Sequence, residues 1–343
     1  MKSIYAIILA ILTGLCLNAQ SSRPGNTEFP IQIEPSSRSI TIPPKIYGHL
    51  SSIIIYKNLL VSIEPYNDTI FSVFKLPSCK YLGCFGINGR GPDEYFRPDA
   101  RNAVATNNGV LLKDLSDRFI YTDLNNYLEN RTFRTRVIKV PGELEALNNG
   151  FLLNDSIVCG MPYVGGRENK PYVKFDMNTK KVEYFGYWPT LYKGVKDKAN
   201  WILYSGRSRV KPDRSMFVTF MFYVRMFRIY RCSGELYQEV ILETPQKLIE
   251  NGELRPYPKQ FYTCIRVTND LILALNTACS GPEMPKTNPT LEIWNWNGKP
   301  VAKVLLDRPI SQFDIDNEGK LLYCIEWNTM DKIFVYNLSE VLK

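Results

Sequence analysis

The sequence has a single histidine, His49, among its 343 residues. Zinc sites built on two or three imidazoles, HExxH helices and histidine relays are therefore excluded, and a Ser/His/Asp triad would have to run through His49 alone. His49 lies in the apolar stretch Ile46-Tyr47-Gly48-His49-Leu50 with no acidic neighbour in sequence, and reads as a packed or solvent-facing imidazole. No CxxC pair occurs among the eight cysteines, so no metal site follows from them. There is no GxxxxGK[ST] phosphate loop, and no helix follows the glycines at 86–91 to receive a phosphate. Beyond residue 17 no apolar run is long enough to cross a hydrocarbon core of roughly 30 Å, so no membrane span is expected. Helical periodicity is almost absent. No cofactor and no metal are expected.

What the sequence does contain begins with a processing signal. Lys2 precedes an apolar run over residues 4–17, and Leu17-Asn18-Ala19 offers a small residue at a cleavage position, so residues 1–19 read as a secretory signal peptide. Leu15 stands before Cys16, where a lipoprotein box needs a small residue. The remaining chain, residues 20–343, is expected to be one domain, periplasmic or secreted and monomeric. Export makes nucleic acid an unsuitable partner. The excess of 42 basic over 34 acidic side chains therefore concerns acidic glycans, headgroups or an acidic protein surface. The seven cysteines left after cleavage lie mostly inside apolar strand-like runs, where a thiol acts as a small hydrophobe.

After residue 40 the chain is a series of short runs rich in Val, Ile, Tyr and Phe, bounded by Asn, Asp, Gly and Pro. One hairpin recurs in it: an apolar strand ending in an aromatic, a polar turn, then a second strand. Its anchors are Phe74, Tyr121, Phe175, Tyr230, Trp294 and Tyr336, spaced 42 to 64 residues apart. Two further strand-like runs precede each anchor, giving four strands per repeat. Four-stranded units in a radial array make an all-β, six-bladed β-propeller. This accounts for runs apolar on both faces, such as 216–222, which must be covered from two sides. The last repeat has only six residues after Asn337, too few for an outer strand, whereas Ile31-Gln32-Ile33 and Ser39-Ile40-Thr41-Ile42 are spare. The N-terminal stretch is therefore expected to complete the last blade and close the ring.

Directly after the first repeat stands Gly86-Ile-Asn-Gly-Arg-Gly-Pro-Asp-Glu-Tyr-Phe-Arg-Pro98. With six hairpin repeats behind a signal peptide, this pattern resembles the bacterial TolB-like six-bladed propellers, in which a Gly-Arg/Lys-Gly-Pro-x-Glu loop follows the first blade. The resemblance covers residues 40–343 and implies a propeller of the cell envelope without an established reaction. Asp93 stands where such proteins often carry glycine.

Propeller topology puts the connections between second and third strands, and those between blades, on one face. The long loops 86–98, 162–170, 190–200, 245–259 and 280–289 all belong there, and long loops on a rigid scaffold are where binding resides. Arg90, Asp93 and Glu94 form the richest cluster, with Arg167 and Lys286 behind them: a guanidinium can clamp a carboxylate or sulfate, and two carboxylates can hold a cation or serve as acid and base. A purely architectural role for that loop, with its glycines and Pro92 setting the turn, is the competing reading. On the opposite face, the basic segment 205–215 and, on the loop face, Lys193, Lys196 and Lys198 read as solvated surface. Asp68-Thr69-Ile70 and Asp155-Ser156-Ile157 match a short bacterial O-glycosylation signal and equally an ordinary start of a strand. The expected function is a non-enzymatic binding module for an envelope protein or glycan. The alternative is a polysaccharide lyase or glycoside hydrolase acting on acidic glycans through Asp93 or Glu94.

Overall fold

All six aromatic anchors fall on the third strand of a four-stranded antiparallel sheet, and the six sheets form a ring. The computed structural model describes residues 20–22, 27–42, 50–144, 147–162, 169–192, 200–243, 246, 248–250 and 253–342. The signal segment 1–19, His49, Arg167, Lys193, Lys196 and Lys198 lie outside the described residues.

From the axis outward, blade 1 is Ser52–Tyr56, Leu59–Ile63, Thr69–Lys75 and Lys80–Asn88. Blade 2 is Val104–Thr106, Gly109–Lys113, Arg118–Asp123 and Arg134–Lys139. Blade 3 is Leu147–Leu152, Ile157–Pro162, Tyr172–Asp176 and Val182–Phe185. Blade 4 is Gly206–Val210, Met216–Met221, Met226–Arg231 and Leu236–Ile241. Blade 5 is Gln260–Val267, Leu271–Cys279, Thr290–Asn295 and Pro300–Leu305. Blade 6 supplies only three strands in sequence, Ile310–Ile315, Leu321–Glu326 and Lys332–Asn337.

The missing outer strand of blade 6 is Arg38–Thr41, antiparallel to Lys332–Asn337 with Thr41 opposite Lys332 and Arg38 opposite Val335. The expected closure is thus present, and Ile42, 1% exposed, seals the seam between blades 6 and 1. Burying such a side chain is worth about 1.5–3 kcal/mol. The other spare stretch does something different. Gln32–Ile33 runs parallel along the outer strand of blade 5, and Gln20–Ser22 along that of blade 4. The N-terminal segment therefore lies in turn against three consecutive blades.

Apolar residues on both faces of the middle strands meet the next blade. Phe217, Phe220, Phe227 and Tyr230 in blade 4 are each at most 1% exposed, stacked in pairs across adjacent strands. All seven cysteines from Cys79 onward are free thiols, five of them buried, as befits small apolar fillers.

Candidate functional site

The 86–98 loop is built around Glu94. Gly91 N donates to Glu94 Oε2 at 2.7 Å. A Cβ at Gly89 would lie 2.1 Å from that same oxygen, so the carboxylate fills the inside of the turn and a side chain there would displace it. Glu94–Tyr95 then pairs parallel with Ile87–Asn88, and Tyr95, fully buried, sets its ring edge-on against Phe71 and its hydroxyl 2.8 Å from Thr122 Oγ1. Beneath the loop, Arg118 donates to Gly91 O and Glu94 O, each at 3.0 Å, and is ion-paired to Asp114 at 2.5 Å. Both partners of that pair are buried. The remaining loop side chains are also engaged: Thr135 Oγ1 donates to Asp93 Oδ1 at 2.6 Å, and the Arg90 guanidinium carbon stands 4.2 Å from the centre of the Phe96 ring.

Glu94 therefore acts on its own loop, and Asp93 is oriented by a neighbouring strand. Arg90 is exposed and borders an open pocket of about 370 Å³ between blades 1 and 2, lined by Arg90, Ser116, Asp117, Arg118, Lys139 and Val140. Three of the six are cations, and the one carboxylate, Asp117, is already held by Lys113. A carboxylate or sulfate group is the complement of such a wall. Lys286 is not part of it: it ends the 3₁₀ turn Gly281–Lys286 on blade 5, two blades round the ring from blade 1.

Sequence reasoning passed over Arg118, Ser116 and Lys139. The run Asp114-Leu115-Ser116-Asp117-Arg118 carries a signal in retrospect, because an Asp four residues before an Arg across a tight turn can form a buried pair.

A second departure concerns the segment 205–215, expected as a solvated basic turn. Its first half is the innermost strand Gly206–Val210, which places Arg207 and Arg209 at the central channel, with Arg209 3% exposed. Only Lys211 and Arg214 sit at the turn, paired with Asp213 and Asp155 respectively.

A six-bladed propeller closed by its N-terminal strand, with a basic pocket on the long-loop face, is the class these observations define. No protein-family model matches the sequence, and no curated protein matches it. Among solved structures the chain is similar to a DUF4221 family member from Bacteroides vulgatus, at 10% identity and a TM-score of 0.58, covering 92% of this chain and 98% of that one. It is also similar to a protein of Bacteroides fragilis named for an inferred export, at 11% identity and a TM-score of 0.53, covering 89% and 98%. At such identity the likeness is one of fold. Among the described residues no helix is long and apolar enough to cross a membrane.

Proposed function

We propose that this chain is an exported, non-enzymatic binding module of the cell envelope that docks an acidic glycan or protein surface on its long-loop face. The observation that carries the proposal is the blade 1–2 pocket, where Arg90, Arg118 and Lys139 face a wall whose only carboxylate is already paired. Arg118 is committed to the loop, so Arg90 and Lys139, both exposed, are the groups that meet the ligand. The signal-like N-terminus, the TolB-like loop and the fold shared with a protein named for export support the envelope placement. Lys286 would extend the same face for a large partner.

The test is calorimetric titration of the mature chain with oligogalacturonate against a neutral oligosaccharide of equal length. Binding of the acidic oligomer alone, weakened about tenfold or more by Arg90→Ala/Lys139→Ala, is the expected result. An unchanged affinity in that variant would remove the pocket from consideration. Accumulation of unsaturated or reducing-end product during the titration would instead establish the enzymatic alternative.

A further inference from the structure

The innermost strands hold a cluster of cations distinct from the surface pocket. Arg207 and Arg209 come from blade 4, Arg266 from blade 5, and Arg101 from the 3₁₀ turn Ala100–Asn102 that leads into blade 2. Asn102 Oδ1 accepts from Arg207 Nη1 at 3.1 Å and from Arg209 Nη1 at 3.2 Å, so a single amide oxygen draws two guanidinium groups together across the ring. Arg266 reaches Ile53 O at 3.0 Å, beside Ser52 at the loop-face end of blade 1.

Charge is not balanced in this cluster. Its carboxylates are Asp314, 3.4 Å from Arg266, and Asp99. Asp314 also accepts from Ile55 N and Ile315 N, and Asp99 caps its own turn through Asn102 N and Nδ2. Among the described residues, Arg207, Arg209 and Arg266, with the exposed Arg101 beside the Trp327 ring at their edge, thus face two carboxylates that are largely engaged. Burial, then the Arg266 and Arg207 charges, push Arg209 down to about 9, and burial likewise lowers Arg207.

Hydrogen bonding is unbalanced in the same direction. Among the described residues, the buried Arg207 Nε, Ser52 Oγ and Thr263 Oγ1 have no hydrogen-bond partner, and all three can donate, while Arg266 Nε has only its ion pair with Asp314. Among the described residues of these inner strands, the one buried unpartnered atom that can accept but not donate is Gln312 Oε1. Buried polar groups in native proteins are normally satisfied, and water would satisfy hydroxyls without neutralising guanidinium groups.

We propose that the central channel is a site for one small oxyanion, phosphate or sulfate, bound by Arg207 with Arg101 and Arg266 around it. The excess of donors and of positive charge selects an anion. The reach of Asn102 across to two blade 4 arginines keeps the occupant small, since one short side chain already spans the distance.

The experiment is thermal unfolding of the mature chain during titration with sodium sulfate, against sodium chloride at matched ionic strength. A saturable rise in midpoint specific to sulfate is expected, because a ligand that binds only the folded state stabilises it. Arg207→Gln should weaken the apparent affinity about tenfold or more, whereas Arg90→Ala/Lys139→Ala should leave it unchanged. A rise that persists in Arg207→Gln, disappears in the surface-pocket variant, or never exceeds that of chloride overturns the proposal. Selenate soaked into wild-type crystals gives a readout independent of any variant's folding. An anomalous peak at Arg207 supports the site; peaks confined to the surface pocket or to exposed lysines refute it.

Discussion

Two arginines two blades apart, Arg118 in blade 2 and Arg207 in blade 4, show how differently the fold treats the same group. Arg118 under the 86–98 loop has a carboxylate for its charge and two loop carbonyls for its remaining donors. Among the described residues, Arg207 at the channel has one side-chain acceptor, Asn102, the Phe222 ring 5.3 Å away, and an Nε without a partner. A fully partnered buried guanidinium holds architecture together, because every direction of its fork is used. One left short of partners keeps binding capacity that the chain itself does not consume. The loop rich in motif is thus the self-sufficient region, and the plain strand is the one with chemistry to spare.

Both regions depend on closure of the ring, so the largest effect erases the comparison. Deletion of residues 21–43 removes the outer strand of blade 6 and the Ile42 seal, and should lower the unfolding midpoint by well over ten degrees or abolish cooperative unfolding. A midpoint unchanged by calorimetry would mean that the ring closes without this strand. The next effect isolates the satisfied arginine. Arg118→Met strands Asp114 in the interior and frees Gly91 O and Glu94 O, a loss of about 3–5 kcal/mol in urea unfolding. A loss below about 1 kcal/mol would show that the loop is held by its own turn rather than by Arg118.

The architecture was legible because it is written in periodic features. Anchors such as Phe74 and Trp294 repeat on the third strand of each blade, where neighbouring blades bury them on both sides. The closing strand was legible too, from a shortage of residues after Asn337 and a surplus before residue 43. The site was much less so. Gly89, Gly91 and Glu94 read equally as a binding loop and as a turn, and what separates these is the direction of one carboxylate, which depends on a glycine having no Cβ to displace it. Arg207 and Arg209 read as surface in the sequence because charge alone does not reveal which strand of a blade lines the axis. Only the ring itself brings Asn102 of one blade to Arg207 of another.

The acidic counterpart of an under-partnered arginine is Glu64, 2% exposed at the end of the second strand of blade 1, with Oε1 unpartnered. Burial raises its pKa from 4.5 to about 8, the Ser62 hydrogen bond opposing only in part. The folded state therefore binds a proton that the unfolded chain has released, and stability should fall as pH rises from about 4.5 through about 8. Glu64→Gln removes that slope and should make the protein more stable than wild type at pH 8.5, by an amount on the order of 1–4 kcal/mol. Parallel slopes for the two proteins across that window in urea melts would show that Glu64 is solvated or paired.

The smallest expected effect is the sharpest test of the comparison. Arg207→Met replaces a cation whose Nε is buried by an apolar side chain of similar length, as Arg118→Met replaces a buried one, and counting lost charges alone would assign both the same cost. The environments predict otherwise. Arg207 leaves no carboxylate stranded by its departure, and it relieves repulsion on Arg209 and Arg266. Its one side-chain acceptor among the described residues, Asn102 Oδ1, keeps the Arg209 donor. In chloride buffer free of sulfate and phosphate, stability should therefore change by less than about 1 kcal/mol in either direction. A loss as large as that of Arg118→Met would mean that Arg207 already has its full complement of partners, and that the channel, like the loop, is architecture.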